Sequence, residues 1–398
     1  MATRPELLPA LTSLRFPATV SAVLFHVWGL FLGPGGERPP ITIWHLWAGL
    51  SFFFVMSGFI LTYVYLNEFR EPTRRGVWNY LVARLARIYP VHVLAFLIIL
   101  PLDYPKLVRG DFGNPIICVA TYLGLGHAWL PLTANKAYAF NSPSWSLSAD
   151  VFFYLMLPLL IPALTRGPVW RRVGFALLAL APWGLATTDL LFGTKLLGSI
   201  TPFRYPPVRL ADFVTGVLLA MWWHHRRAAG TVPAPVRSVG RATAVEVGAV
   251  LLTVAWMWGL VLAMKTPKWL MASGWCGVYL PPYVLLLWVL ARGEGLVSRV
   301  LSSRPLAYLG DISFTLYMLH QPVISYFYFK GHLFGGREWP WWCQWAAVFA
   351  VSLLAAAACF HLVEVPARDW LRKRLTIRAP KAAPAEAPQV EPPARRAA

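Results

Sequence analysis

Arg15 and His26 stand eleven positions apart in the first apolar segment of the chain, which runs from Leu11 to Gly33. On an α-helix, eleven residues turn through about 1100°, so the two side chains share one face and lie about 16 Å apart along the axis. An arginine or histidine side chain at membrane depth costs free energy unless it faces a polar interior. Two interpretations are open. Arg15 reaches the headgroups and His26 bonds to a neighbouring helix, or His26 does chemistry and Arg15 binds an anion.

A second basic pair, Arg84 and Arg87, stands three residues apart just before Tyr89 and Pro90. The spacing predicts a short amphipathic helix that presents both guanidinium groups on one face. Arginines beside a membrane commonly anchor a helix to anionic lipid headgroups. The alternative is a clamp for a phosphorylated ligand from the cytosol, since guanidinium groups fit phosphate geometry.

The elements that must hold these residues are membrane helices. The 398-residue chain is 57% hydrophobic and only 13% charged, and apolar stretches long enough to cross a bilayer recur along it. We therefore expect an all-α fold, a polytopic membrane helical bundle. The eleven candidate spans are residues 11–33, 44–66, 89–108, 114–130, 145–165, 172–191, 207–225, 243–264, 269–291, 306–329 and 341–364.

The net charge of +19 comes mainly from short loops and the C-terminal tail, so we expect no nucleic-acid partner. If all eleven segments crossed, several basic loops would lie outside, against the positive-inside rule. If 114–130, which contains Pro115, is re-entrant, about ten transmembrane helices remain and both termini are cytoplasmic. This topology predicts a multi-pass protein of the cell inner (plasma) membrane, with Arg15 near the cytoplasm and His26 deeper.

The chain divides into a transmembrane domain over residues 1–374 and an Ala- and Pro-rich tail over 375–398. The tail has too few large apolar residues to fold and is predicted to be disordered and cytoplasmic. The four cysteines lack metal or disulfide spacing, so we expect no bound metal.

From about Leu11 to Lys373 the chain resembles the acyltransferase-3 family of integral membrane acyltransferases, and six blocks, in order, carry the resemblance. They are LTSLRFPATVSAVLFH with Arg15 and His26, FFFVMSGFILT around Ser57 and Gly58, ARLARIYPVH with Arg84 and Arg87, SPSWSLSADVFFY with Trp145, Ser146 and Tyr154, VRLADFVTGVLLA (208–220) and LGDISFTLYMLHQP (309–322).

The resemblance implies transfer of an acyl group, usually from acyl-CoA, to a hydroxyl. Together with imidazole chemistry it implies that His26 is the general base or a transient acyl carrier. Arg15 would hold the donor carbonyl or phosphates, and Arg84 and Arg87 would bind the phosphates of the coenzyme.

One position departs from the family pattern, which usually has glutamate where this chain has Asp150. The carboxylate is kept but its side chain is one methylene shorter, so the resemblance implies a proton-relay role for Asp150 with a shorter reach. Alternatively, Asp150 caps the start of a span together with Ser144, Ser146 and Ser148.

Other polar residues at membrane depth are secondary candidates. Substrate contacts are expected from a set drawn from the fourth and sixth blocks, namely Trp145, Ser146, Tyr317, His320 and Gln321. Arg209 and Asp212 are expected to form an ion pair inside the bundle. Ser57 and Gly58 are expected to mark a close helix contact.

The predicted function is that of a membrane-embedded O-acyltransferase that uses acetyl-CoA or another short-chain acyl-CoA and a sugar-containing acceptor. The acceptor would be a macrolide-type secondary metabolite, as the likeness of the composition to actinobacterial members implies, or a cell-envelope polysaccharide. The alternative is a secondary transporter or flippase for a sugar- or lipid-linked substrate. This alternative predicts repeat symmetry, with broken spans at matching places in two halves of the chain. No convincing internal repeat is present.

Overall fold

The computed structural model of the protein describes residues 8–30, 45–129, 139–194, 203–230, 238–263, 277–336 and 338–377. All regular structure within these ranges is helical, as the composition predicts. In chain order the helices are α1 (Pro9–Ser13), α2 (Arg15–Leu30), α3 (Gly49–Phe69), α4 (Arg74–Val108), α5 (Pro115–Leu123), α6 (Trp145–Thr165), α7 (Val169–Phe192), α8 (Pro206–Ala228), α9 (Val239–Ala263), α10 (Leu280–Ala291), α11 (Leu296–Leu301), α12 (Arg304–Lys330), α13 (Trp341–Cys359) and α14 (Val365–Leu375).

Six segments of the described chain are long and apolar enough to cross a membrane, and they contain α1–α2, α3, α4, α6, α9 and α13–α14. Helices α7, α8 and α12 have 24, 23 and 27 residues, against the about 20 that a bilayer requires. Helix α10 has 12 residues, and the start of its predicted span, 269–276, lies outside the described residues. These ten segments correspond to the ten predicted spans.

Helix α5 is the element that the sequence predicts to be re-entrant. It begins where the Asn114 side chain accepts hydrogen bonds from the amides of Ile116 and Ile117, and it has nine residues. At about 14 Å it is too short for a hydrocarbon core of about 30 Å. The chain then turns, with Leu125 at a φ of 55°. The described part of 114–130 therefore forms no spanning helix.

Helix α4 corrects the prediction of a short helix before Pro90. It runs for 35 residues through Pro90, Pro101 and Pro105, and the Thr73 side chain caps it by accepting from the Gly76 amide at 3.0 Å. A proline removes one helical hydrogen bond, but membrane helices tolerate this loss because neighbouring groups satisfy the exposed backbone. Arg84 and Arg87 therefore lie in the middle of a long helix.

Helices α3 and α8 cross closely at the centre of the bundle. A side chain at Gly58 would collide with the backbone carbonyl of Phe213, and one at Gly216 with that of Val55. Small residues at such crossings let helix backbones approach. The predicted close contact at Gly58 is confirmed.

The predicted ion pair on α8 is also confirmed. Arg209 and Asp212 lie 2.7 Å apart, with side chains 0% and 1% exposed. Arg209 also donates to Ser51 Oγ on α3 at 2.8 Å, and its guanidinium group lies over the Phe54 ring.

The C-terminal helix α14 packs on the start of α4. The Trp78 indole donates to the Leu375 carbonyl at 2.8 Å. Asn79 and Ile377 exchange two hydrogen bonds, of 2.9 and 3.0 Å. Leu375 and Ile377, within the first three residues of the predicted tail, thus contact the bundle, and the remainder of the tail, 378–398, lies outside the described residues.

Candidate active site

A cavity lies among α2, α3, α4, α6 and α12. Its apolar wall includes Phe53, Phe54 and Ile88. The polar side chains that line it are those of Arg15, Ser57, Arg84, Arg87, Ser146, Asp150, Tyr154, Ser313 and Tyr317. Three arginines against one carboxylate give the lining a net positive charge. The cavity thus fits an anionic ligand that also has an apolar part.

The three arginines reach the cavity from two helices. Arg15 is the first residue of α2, and Gly310 on α12 closely approaches the carbonyl of Thr12, three residues before it. Arg84 and Arg87 are three residues apart on α4 and therefore share one face. The long α4 carries both of them to the cavity wall.

Asp150 lies inside α6 and lines the cavity. The interpretation that it caps a span with the neighbouring serines is wrong, because α6 begins without a side-chain capping bond. Ser144 instead donates to the Asn141 carbonyl at 2.6 Å, and Ser148 donates to the Leu125 carbonyl at 2.6 Å. Asp150 is therefore available to the arginines across the cavity.

Ser146 and Tyr317 form a polar edge of the cavity. Their hydroxyl oxygens lie 3.1 Å apart, and each lies 3.0 Å from the Pro143 carbonyl oxygen. This carbonyl fixes both hydroxyls before any ligand binds.

His26 does not line the cavity. It lies on α2 with Arg15, as predicted, and its Nδ1 is 3.0 Å from Nε2 of the fully buried His320. Tyr317, which lines the cavity, lies one turn before His320, and their ring centroids are 5.7 Å apart. The histidine pair therefore lies just beyond the Tyr317 side of the cavity.

Two predicted substrate residues lie outside the cavity lining. Trp145 is 5% exposed and packs against the rings of Phe54 and Phe203 in the core. The Gln321 amide lies 3.4 Å from Ser325 Oγ on its own helix. Contacts of Trp145 and Gln321 with a substrate stay predictions.

Sequence reasoning missed four polar residues at or behind the cavity. Ser57 was interpreted only as a packing residue, and Tyr154 and Ser313 only as parts of two blocks, and all three line the wall. Glu364 is fully buried and lies 3.9 Å from Arg87. It is the acidic residue at the end of the predicted span 341–364, and an ionisable residue at membrane depth is a functional candidate by default.

The sequence profile of the acyltransferase-3 family, described as an acyltransferase domain, matches residues 8–361. The chain belongs to this family. The matched range includes every residue that lines the cavity and both histidines of the pair. Glu364 lies three residues beyond it.

Curated relatives are similar over most of this chain. The acyltransferase MdmB of Streptomyces mycarofaciens is 29% identical, with 96% of this chain and 97% of MdmB aligned. The peptidoglycan O-acetyltransferase OatA of Listeria monocytogenes is 21% identical over 90% of this chain and 56% of its own length. The O-acetyltransferase OatA of Staphylococcus aureus is 22% identical, over 92% and 58%. The chain thus spans little more than half of either OatA protein. No solved structure matches the chain.

Family membership and the long apolar helices identify a multi-pass membrane acyltransferase. The relatives include named O-acetyltransferases. Of the two functional classes predicted from the sequence, the enzyme is therefore confirmed over the transporter.

Proposed function

We propose that the protein moves an acetyl or other short acyl group from acyl-CoA to a hydroxyl of a sugar-containing acceptor. One observation carries the proposal: a cavity lined by three arginines adjoins, across Tyr317, a pair of histidines, His26 and the fully buried His320, whose ring nitrogens lie 3.0 Å apart. Transfer from a thioester to an alcohol requires a place for the anionic donor and a base for the hydroxyl. The two parts of this site supply these functions.

The donor occupies the cavity. Arg84 and Arg87 bind phosphates of the coenzyme, since guanidinium groups form paired hydrogen bonds with phosphate oxygens. Arg15 holds a phosphate or the thioester carbonyl. The position of these side chains on a cavity wall, rather than on an outer face of the bundle, supports a ligand clamp over a lipid anchor.

His26 acts as the general base through Nε2. Its Nδ1 faces His320 Nε2, and of two such ring nitrogens one must donate and the other accept. When His26 donates, its Nε2 is left with a lone pair for the acceptor proton. His320, as the hydrogen-bond acceptor, then orients the ring and stabilises the imidazolium.

The transfer proceeds in two steps. The acceptor oxygen attacks the thioester carbonyl carbon while its proton moves to His26 Nε2. The tetrahedral intermediate then expels the coenzyme thiolate as the C–S bond breaks, and the thiolate takes the proton from the imidazolium, directly or through Asp150. Ser146 and Tyr317 lie at the junction of the two parts and contact the acceptor.

For the acceptor we propose a macrolide-type secondary metabolite. The match with an acyltransferase of Streptomyces mycarofaciens, 29% identical over 96% of this chain, supports it. A cell-envelope polysaccharide is the second candidate, supported by the name of the peptidoglycan O-acetyltransferase OatA. The site serves either acceptor with the same chemistry.

Membranes containing the protein, incubated with radiolabelled acetyl-, propionyl- or isovaleryl-CoA and a panel of macrolides and glycans, test the proposal. We expect label in a macrolide acceptor, and none with His26→Ala membranes. His361→Ala is a matched control, because His361 is exposed and pairs with Tyr308 away from the cavity. Label in no acceptor with any donor would contradict the proposal, and label only in glycans would favour the second acceptor.

A further inference from the structure

Glu364 is a carboxylate with no exposed surface, at the end of a π-helical turn over Phe360–Glu364. The turn joins α13 to α14 within one continuous helical segment of 35 residues that is apolar enough to cross a membrane. Burying a charged group is costly unless it has charged or hydrogen-bonding partners. Single π-turns inside α-helices are frequent at functional sites.

The partners of Glu364 come from two helices of the cavity. Thr315 on α12 donates a short hydrogen bond to Oε2, and Thr315 lies between the lining residues Phe314 and Tyr317. Oε1 lies 3.9 Å from Arg87 Nε on α4. The carboxylate thus lies behind the cavity wall and joins α12 to α4.

The geometry of Arg87 leaves its two terminal amino groups for a ligand. The guanidinium nitrogen that pairs with Glu364, at 3.9 Å, is Nε, and the Arg87 side chain also lines the cavity. An arginine side chain loses rotamer freedom when it is fixed in one position. A carboxylate that already holds Nε in place before the ligand binds reduces the side-chain entropy that is lost on binding.

We propose that Glu364 is a positioning residue that orients Arg87 toward the phosphates of the acyl donor, with Thr315 fixing the carboxylate. This inference rests on the proposed role of Arg87 in donor binding. It adds to the site an element outside the matched family region, namely the π-turn and the segment that follows it. The contacts of Trp78 and Asn79 hold that segment to α4 at a second place.

The test is calorimetric binding of coenzyme A, which has the phosphates and no acyl group, to the purified full-length protein. We expect Glu364→Gln to raise the Kd about tenfold, as expected for weakening one charge-assisted contact, and Glu364→Asp to recover part of the loss. Thr315→Val should weaken binding and Thr315→Ser should not. Asp369→Asn is the matched control, because this exposed acid on the same segment pairs with Arg368.

Pantetheine, which lacks the phosphates, separates positioning from a general loss of structure. We expect its affinity to be the same in the wild type and Glu364→Gln, and the two proteins to melt within a few degrees of each other. Equal weakening of both ligands, or an unchanged Kd for coenzyme A, would overturn the inference. Because binding is measured without transfer, coenzyme A binding that depends on Glu364 in a protein that transfers no acyl group would support the inference and contradict the proposed function.

Discussion

The bundle contains two groups of arginines at membrane depth, and their surroundings differ. Arg209 is fully buried, 2.7 Å from Asp212 and 2.8 Å from Ser51 Oγ. Arg15 and Arg84 line a cavity, and neither has an ion-pair partner within 4.0 Å in the described part of the chain. The charge of Arg209 is thus paired within the fold, whereas the charges of Arg15 and Arg84 have no ion-pair partner in the described part of the chain.

This difference separates a structural charge from a functional one. A paired buried charge contributes to stability chiefly because removing its partner leaves an uncompensated ion. Unpaired cations around a cavity oppose each other and favour an anionic ligand. Substitutions in the two regions should therefore affect different quantities.

The largest effect is expected from Arg209→Leu. It leaves Asp212 buried without its cation, which should lower the free energy of unfolding by about 3–5 kcal/mol. Thermal unfolding of the detergent-solubilised protein measures the change. The double variant Arg209→Leu with Asp212→Leu should recover most of the stability, and a double variant as unstable as the single one would show that the pair is not what holds this region.

Arg84→Ala is expected to weaken donor binding by about 10- to 100-fold, the loss of one charge-assisted contact, with little loss of stability. Calorimetric titration with coenzyme A checks it. Arg75→Ala is the control, since Arg75 lies on the same helix but is exposed and does not line the cavity. If Arg84→Ala unfolds the protein as Arg209→Leu does, the contrast between the two regions is lost.

His320→Gln tests the hydrogen bond between His26 and His320. The amide can still accept from His26 Nδ1, whereas His320→Leu cannot. We expect kcat to fall about tenfold in His320→Leu, corresponding to the loss of a hydrogen bond of about 1.4 kcal/mol, and less in His320→Gln. Initial rates at saturating donor measure this, and equal rates in both variants would exclude hydrogen-bond orientation by His320.

The smallest effect is expected from Asp150→Glu, which restores the residue usual in the family. Since the carboxylate is kept and the cavity has room for one methylene, kcat/KM should change by less than about threefold, under 0.7 kcal/mol. Asp150→Asn, which removes the charge opposite the arginines, should have the larger effect. The same assay compares them, and the reverse order would contradict a role for the carboxylate charge.

Features that depend on composition or local spacing could be predicted from the sequence. The membrane helices follow from the apolar runs, and the shared helix of Arg15 and His26 follows from their register. The Arg209–Asp212 pair follows from a spacing of three residues. In the last two cases both residues lie on one helix, where the helical period fixes their relative position.

Contacts between distant parts of the chain could not be predicted in this way. His26 and His320 are 294 positions apart in the sequence, and Thr315 and Glu364 are 49 positions apart. No local pattern pairs such residues. The continuity of α4 was missed for a different reason: Pro90 interrupts a helix pattern in a soluble protein, whereas packing inside a bundle compensates for the lost hydrogen bond.

The most direct test of the account is His26→Ala in the purified protein, assayed for both binding and transfer. The account predicts coenzyme A affinity within about twofold of wild type, since His26 lies outside the arginine-lined cavity, and transfer reduced by at least about 100-fold, the lower end for loss of a general base. Retained transfer would contradict the assignment of His26 as the base. Loss of coenzyme A binding along with transfer would contradict the division of the site into a donor cavity and a histidine pair.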